Sequence, residues 1–448
     1  MPQAAAAAVA LAKSAYAAYS ASRVLQIVAQ IAFSLGTTAL VQSLNKPPKP
    51  ADRREGLRGE IMARQIHFGT TLAGSAVVYD DVASKVRWQV HVHNHGRCVN
   101  VRERRFGGAV YPVAANGQLL PYSRFQDVVY AEFRDGAEDQ PPSVLMRQPE
   151  TRTGPLPAPG WTDAHRLRGL CYSVIRAPSI KAEKFQEVYP EGRPPVPTIV
   201  GDFGEPLDPR TGTRGFSPNG ALIFAWWQTH PLGGRLSEDK IDWDSIAAAA
   251  DLCDSMGYEL AGSWLADESP KVTQANMLAA LDASMWTDQT GRVRLDIGRW
   301  QDPVIRIGMD QVLQISSLSA GAGEGDAVSE LIVKYIDRAR DYSEVEDVAA
   351  SVDAPVYAPK VADLTYCPTQ AQALRLGRRI FARERARWRL EATLNLSGLR
   401  LINKRFVEVH LPDFGLHHEP MELDGWGFDP AAGQVVISAR SARPEDFA

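Results

Sequence analysis

The residues able to do chemistry are few and scattered through the 448-residue chain. His91, His93 and His95 alternate along one stretch, with Cys98 close behind. A spacing of two on a strand puts His91 and His93 on one face, where they could chelate a metal. No acidic or further histidine set stands beside them, so the plainer reading is a solvated strand face running into a turn at Asn94–Gly96. Asp202-Phe-Gly matches the metal-binding triplet of protein kinases, but the Gly-rich loop, strand lysine and catalytic loop that should precede it are missing. His417-His-Glu-Pro has no second histidine at metalloprotease spacing, and no G-x-S-x-G elbow occurs. The glycines of Ser319–Asp326 follow no strand and lead to no Lys-Ser/Thr pair, so they form no phosphate cradle. A pair of glycosidase carboxylates could hide among 53 acidic residues, but spacing nominates none. The chain reads as a non-enzyme that needs no metal or cofactor.

Composition agrees with a globular product. Apolar residues make up 45% and charged residues 23%, the proportions of ordinary soluble domains. The length implies two to four domains, and a net charge of −4 gives no overall nucleic-acid-binding signal. Cys98, Cys171, Cys253 and Cys367 are widely spaced with no C-x-x-C pair, which favours buried free thiols made in a reducing compartment.

The first fifty residues stand apart. They are rich in alanine, carry Lys13, Arg23, Lys46 and Lys49, and contain no acid. Val24, Val28, Ile31 and Leu35 make one helical stripe in a charge-free run that ends before Pro47, Pro48 and Pro50. Polar residues such as Gln26, Gln30 and Gln42 weaken a membrane-spanning reading, and no clean cleavage site supports a signal peptide. The expectation is a hydrophobic helix over 1–46, buried by other chains, with membrane contact as an open alternative.

The elements that must position any site alternate in type. Residues 60–194 form a first β-rich domain, with Val86, Trp88, Val90 and Val92 alternating and a Pro-rich loop at 141–160. Residues 195–345 read as a mixed α/β domain. Within it Pro194–Trp227 passes from a short apolar strand through the turn Asp208-Pro-Arg-Thr-Gly212 to a helix, with Ser217 as cap and Pro218 at its first position. Asp242 or Asp244 caps a second amphipathic helix, and Thr273 a third from Gln274 to Met285. Residues 346–448 hold a long helix from Pro368 to Leu390, started by Thr369 and studded with arginines from Arg375 to Arg389. It is followed by period-two strands that close a second small β-barrel. Those arginines could each neutralise a phosphate. A solvated face pairing with acidic neighbours is the favoured reading, with Leu374, Ile380, Phe381 and Trp388 on the buried side.

The order of these blocks resembles a known family. Gly169-Leu-Cys-Tyr-Ser-Val-Ile-Arg, Pro195-Val-Pro-Thr-Ile-Val-Gly-Asp-Phe-Gly and Asp208-Pro-Arg-Thr-Gly are followed by Phe216-Ser-Pro-Asn-Gly-Ala-Leu-Ile-Phe. Then come Ile241-Asp-Trp-Asp-Ser and Ala-Ala-Asp-Leu-Cys-Asp254. The succession is similar to the J-type tail-tip attachment proteins of long-tailed phages, also described as tail or baseplate hub proteins, over roughly residues 60–440. The sequence departs from the family's Gly-Arg at Gly201-Asp202 and from its Asn-Pro-Ala at Asn219-Gly-Ala.

What the resemblance implies is structural. The fold would be α+β and multidomain, with β-barrel hub domains resembling tail-tube modules, a smaller α/β domain and the N-terminal hydrophobic helix. The protein would be a homotrimer at the distal end of the virion tail, made in the host cytoplasm, closing the tube and opening for genome ejection. Its partners would be the distal tail protein, other tail-tip proteins, the C-terminus of the tape measure protein, and a tail fibre or central spike. DNA would pass only in transit, and the host membrane would be touched transiently. Many relatives continue into receptor-binding modules, so the end at Ala448 leads us to expect separate receptor-binding proteins. Assembly residues are expected at Asp208, Arg210, Asn219, Asp242 and Trp243, and on the stripe Val24, Val28, Ile31 and Leu35. A tail-associated cell-wall hydrolase and a protein anchored in a membrane by residues 1–45 remain the alternatives.

Overall fold

A computed structural model describes residues 64–447 apart from 84, 115–116, 120–123, 126, 148–157, 322–327 and 354–356. The helix expected on Val24, Val28, Ile31 and Leu35 lies outside the described residues.

The N-terminal strands are β1 (Gln65–Ala73), β2 (Ala76–Ala83), β3 (Val86–His95), β4 (Cys98–Phe106), β5 (Ala109–Val110), β6 (Tyr130–Arg134) and β7 (Leu170–Pro178). A short helix α1 (Ala182–Val188) leads to β8 (Pro197–Phe203). They form two sheets, one ordered β2-β3-β7-β6 and one containing β1-β8-β4-β5. The chain passes from sheet to sheet at short corners, Gly74–Ser75 and Gly96–Arg97. Val86, Trp88 and Val90 alternate toward one core, shared with Tyr172 and Val174. The opposite face of β3 is not solvated, contrary to the sequence reading, because the second sheet covers it. His91 and His93 are both buried. His91 Nδ1 lies 3.2 Å from the Ser75 hydroxyl, which itself donates to the Pro197 carbonyl. His93 sits between the Gly74 carbonyl at 3.0 Å and the Ser173 hydroxyl at 2.8 Å.

The middle of the chain begins with a hairpin, β9 (Leu207–Asp208) and β10 (Thr213–Arg214). It continues through α2 (Gly220–Thr229), α3 (Trp243–Met256), β11 (Gly262–Leu265), α4 (Pro270–Leu281), β12 (Ala283–Thr287) and β13 (Val293–Ile297). Strand β11 adds to β1 at the edge of the second sheet. Gly69 marks the place where β1 changes partner from β11 to β8. Its φ is +66°, and a Cβ there would lie 2.1 Å from the Leu260 carbonyl oxygen, so only glycine fits. Helix α2 is buried nearly all round, as its apolar sequence requires.

Two expected helix starts move. Asn219, not Ser217, caps α2, accepting from Ala221 and Leu222 N–H, while Ser217 Oγ accepts from Asn219 N–H just outside. The Asn219 amide also has partners behind it that a serine cannot reach, which fixes the start. Helix α4 starts at Pro270 and stops at Leu281, so Met285 lies in a strand. The stop is Asp282 in the left-handed region (φ 48°), held by contacts from distant parts of the chain. Asp242 caps α3 through Ser245 N–H as expected.

The remainder comprises β14 (Arg306–Gly308), β15 (Val312–Ala320), β16 (Glu330–Asp337), β17 (Ser343–Ser351), β18 (Pro359–Asp363) and α5 (Gln370–Glu384). Four long strands follow, β19 (Trp388–Leu394), β20 (Phe406–Leu411), β21 (Leu416–Asp429) and β22 (Gln434–Ser441). Thr369 caps α5, but the helix ends at Glu384 and Trp388 begins a strand. Ladders to β15 and β22 on either side of β19 take precedence over helical continuation. Helix α5 packs on the three-stranded sheet β17-β16-β18 at Gly377, where a Cβ would meet the Ala349 methyl at 2.4 Å. One core runs without a break from α2, α3 and α4 through Leu331, Val333 and Tyr335 to Ala373 and Leu376.

The last sheet has the order β14-β20-β21-β22-β19-β15 and its own core of Ile307, Leu390, Val407, Met421 and Ile437. Its two edge strands are consecutive in the chain, separated only by residues 309–311. Three residues span little more than about 10 Å, so the sheet must curl until its edges meet at that turn. Gln311 ties the corner, with its N–H to the Gly308 carbonyl and its carbonyl to Asn395 N–H. The result is barrel-like, closed by backbone rather than by a ladder.

Candidate functional site

The densest polar constellation lies where α4, α5 and the last sheet converge. Asp282, at the left-handed end of α4, receives Arg383 at 2.7 Å, Arg405 at 3.1 Å and Arg379 at 3.2 Å. Glu422 on β21 takes Arg405 at 2.8 Å and Arg383 at 2.9 Å. Arg379 also donates to the carbonyls of Gly298 and Phe447, at 2.7 and 2.8 Å. Residues 379 and 383 are one turn apart, so one helix face delivers both guanidinium groups. Three cations meet two carboxylates, and the Phe447 ring stands against all three arginines at 5.4 to 5.9 Å. Its π face offsets part of the excess charge.

Burial alone would raise the Asp282 pKa, but Arg383, Arg405 and Arg379 outweigh it and hold the carboxyl down at about 2. Glu422 is likewise lowered, burial being outweighed by Arg383 and Arg405. Both carboxylates are ionised at neutral pH, and each faces at least two arginines. The arrangement fixes three elements rigidly and leaves no nucleophile or base free to react. Sequence reasoning placed these arginines on a solvated face. Arg379 is instead buried and Arg383 nearly so. Asp282, Arg405 and Glu422 were missed, because their partners lie up to 123 residues away; the repeat of Arg379 and Arg383 at i, i+4 was the available signal.

The expected assembly residues divide into two groups. Asp208, Arg210 and Asn219 come together. Arg210 forks onto Asp208 at 2.9 Å and reaches Asp251 and Asp254 on α3 at 2.9 and 2.7 Å. Asn219 donates to Asp254 at 2.7 Å and to the Ala250 carbonyl at 2.9 Å. The Asp208 pKa is lowered chiefly by its hydrogen bonds from Arg210. The turn is thereby strapped to the end of α3, with Thr211 and Gly212 exposed at its tip. Asp242 and Trp243 lie at the other end of the 14-residue α3, about 20 Å away. There Asp242 pairs with Arg294 at 3.0 Å, and the Trp243 indole donates to the Glu238 carbonyl.

The remaining motifs become structural. Asp202 lies within β8, buried, accepting from Thr70, Asn100 and Arg102. His93 is driven to a pKa of about 4 by burial, opposed by its bond to Gly74. His418 pairs with Glu408 at 2.9 Å on an exposed hairpin beside Arg306. Cys98, Cys171, Cys253 and Cys367 are buried free thiols. Among the described residues no His, Cys, Asp or Glu group is arranged to hold a metal, and no helix is long and apolar enough to cross a membrane. The recess under Arg104, Phe106 and Ile199 holds about 10 Å³, room for one water.

Fold and site together define a multi-sheet structural framework tied by internal ion pairs. Residues 276–409, under a third of the chain, match the model of a family described as putative phage tail protein. That segment contains Asp282, all of α5 and Arg405. No curated protein matches the chain. Among solved structures, the fold is similar to a chain in the virion of a native gene transfer agent (GTA) particle. The TM-score is 0.58 at 14% identity, covering 90% of this chain and 89% of that one. The 43 kDa tail protein of prophage MuSo2 from Shewanella oneidensis aligns at 11% identity and TM-score 0.29, covering 86% and 95%. A tail protein from Neisseria meningitidis MC58 aligns at 10% and 0.32, covering 84% and 99%. The sequence match supports a phage tail protein, and the fold agrees with one found in a virion.

Proposed function

We propose that this protein is a structural hub of a tail tip, trimeric, closing the tail tube and anchoring neighbouring tip proteins and the tape measure. On this reading it opens when the genome is ejected. The observation that carries it is the likeness in fold, over nine-tenths of the chain, to a protein of a virion particle. The family match over 276–409 supports the same direction. A framework whose interior is spent on packing and internal ion pairs suits an assembly part better than a catalyst. Asp208, Arg210 and Asn219 would present the Thr211–Gly212 tip to a neighbour, and Asp242 and Trp243 would serve at the far end of α3. Val24, Val28, Ile31 and Leu35 would meet the tape measure or line the lumen.

The test is localisation. Gold-labelled antibody against this chain should decorate one end of the tail in micrographs of intact particles. Label along the tube, on the head, or absent from particles would overturn the proposal. Release of cell-wall fragments by the purified protein would instead favour the hydrolase alternative. Detergent dependence of the full chain that is lost when residues 1–45 are removed would favour the membrane one.

A further inference from the structure

The unit made by α5 and β16–β18 has two unlike outer sides. Leu331, Val333 and Tyr335 face α5 and are fully buried. The alternate residues face away from the helix, and nothing in the described chain covers their centre. There the pairing register lines up Val348, Ile332 and Val361 in one row across the three strands. Val348 is 53% exposed and Val361 52%. The next row is Glu346, Lys334 and Asp363, followed by Glu344 beside Ile336. Glu330 borders the apolar row on its other side and bonds the exposed Tyr357. This side therefore shows an apolar centre with four carboxylates and a single lysine.

The other side is basic. Gly377, Ala373 and Ile380 turn α5 toward the sheet, and Arg379 and Arg383 turn it toward Asp282. At 100° per residue the remaining face carries Ala371 and Arg378, and Arg385 follows at the C-cap of the helix. Arg378 and Arg385 are exposed, as are Arg387 and Arg389 just beyond. Among the described residues none of these four has a carboxylate partner, whereas Arg379 and Arg383 are paired with buried carboxylates. A sheet face and a helix face on opposite sides of one unit cannot meet within one chain.

We infer that the open face of β16–β18 docks on the outer face of α5 at Arg378, and on the exposed arginines that follow the helix, in a second copy of this chain. Charge complementarity selects this occupant, since each copy offers both halves of the match. The contact is head-to-tail, so its repetition makes a ring if the rotation closes. Apolar burial at Val348, Ile332 and Val361 would supply affinity, and the flanking charges register and orientation. The inference names the surface for the trimer of the proposed hub and rests on that reading for its stoichiometry only.

The experiment measures the mass of the full-length chain by light scattering and sedimentation, with circular dichroism to confirm folding. Wild type is expected to associate at micromolar concentration. Val348→Glu, on an exposed position, should weaken association at least tenfold without changing the spectrum. Glu346→Lys and Arg378→Glu should each do the same, and the two combined should restore it. A monomeric wild type, or association indifferent to these changes, overturns the docking surface. If Val348→Glu does not fold, Val348→Ser with Glu346→Lys decides. Labelling of particles stays separate: label at the tail end with mass unaffected by the variants removes this surface and leaves the hub. Mass lost on Val348→Glu without label on particles removes the hub and leaves the surface.

Discussion

Arg383 on α5 lies 2.7 Å from Asp282, the residue that ends α4 in a left-handed turn. The pair joins the central helices to the last sheet, because the same guanidinium also holds Glu422 on β21. Asp282→Asn removes the charge that three buried arginines share. Breaking such a pair from one side costs about 3–5 kcal/mol. Arg383→Met should cost less, since Arg405 and Arg379 still face Asp282. Urea denaturation of both variants checks the ranking.

Acid should weaken the fold in two separate steps. His93 is held at about 4 by burial against an ordinary value of 6.5, so the unfolded chain takes up a proton first as pH falls. Stability is complete above pH 6.5 and declines down to about 4, by roughly 3 kcal/mol. His230, also lowered to about 4 by burial, adds to the same window. Asp282 acts in the next one. Its pKa of about 2 means stability that is present above pH 4 and lost as pH falls to about 2, on the order of 2 kcal/mol. Urea midpoints measured across pH 7 to 3 should show the first slope flattened in His93→Gln.

Asn219 separates capping from bonding. Asn219→Asp keeps a good N-cap for α2 but turns a donor into an acceptor against Asp254 and the Ala250 carbonyl. It should therefore destabilise more than Asn219→Ser, although aspartate and serine are about equal as caps in isolation. Asn219→Ala should lose about 1–2 kcal/mol. Thermal melts of the three variants give the order.

Gly377→Ala sets propensity against space. Alanine favours a helix interior by about 1 kcal/mol, but its methyl would overlap Ala349 and Val333. Overpacking of that kind costs about 1–3 kcal/mol, so the variant should be less stable than wild type. A pairing with Ala349→Gly, which opens the same space, should recover part of the loss in equilibrium unfolding.

Much of this architecture was legible where local pattern and burial agree. The alternation at Val86–Val92, the Asp242 cap and the Thr369 start appear where the residues place them. The readings that moved did so for tertiary reasons. The face of β3 bearing His91 and His93 looks polar and is buried, since a second sheet supplies hydrogen-bond partners that no local pattern announces. Met285 and Trp388 continue helical patterns yet lie in strands, Met285 because Asp282 ends the helix and a hairpin follows, Trp388 because a ladder to the distant β15 takes it. Asp208, Arg210 and Asn219 were within one legible stretch, whereas the joint of Asp282, Arg405 and Glu422 is visible only once the chain has folded.

The turn at 309–311 carries a mechanical consequence. Tension on a sheet normally opens it at an edge, where neighbouring strands unzip one hydrogen bond at a time. In the last sheet both edges belong to one continuous segment, from Arg306 to Ala320. A pull that separates β14 from β15 is borne by covalent bonds at that corner, so there the module should resist load as a hoop does.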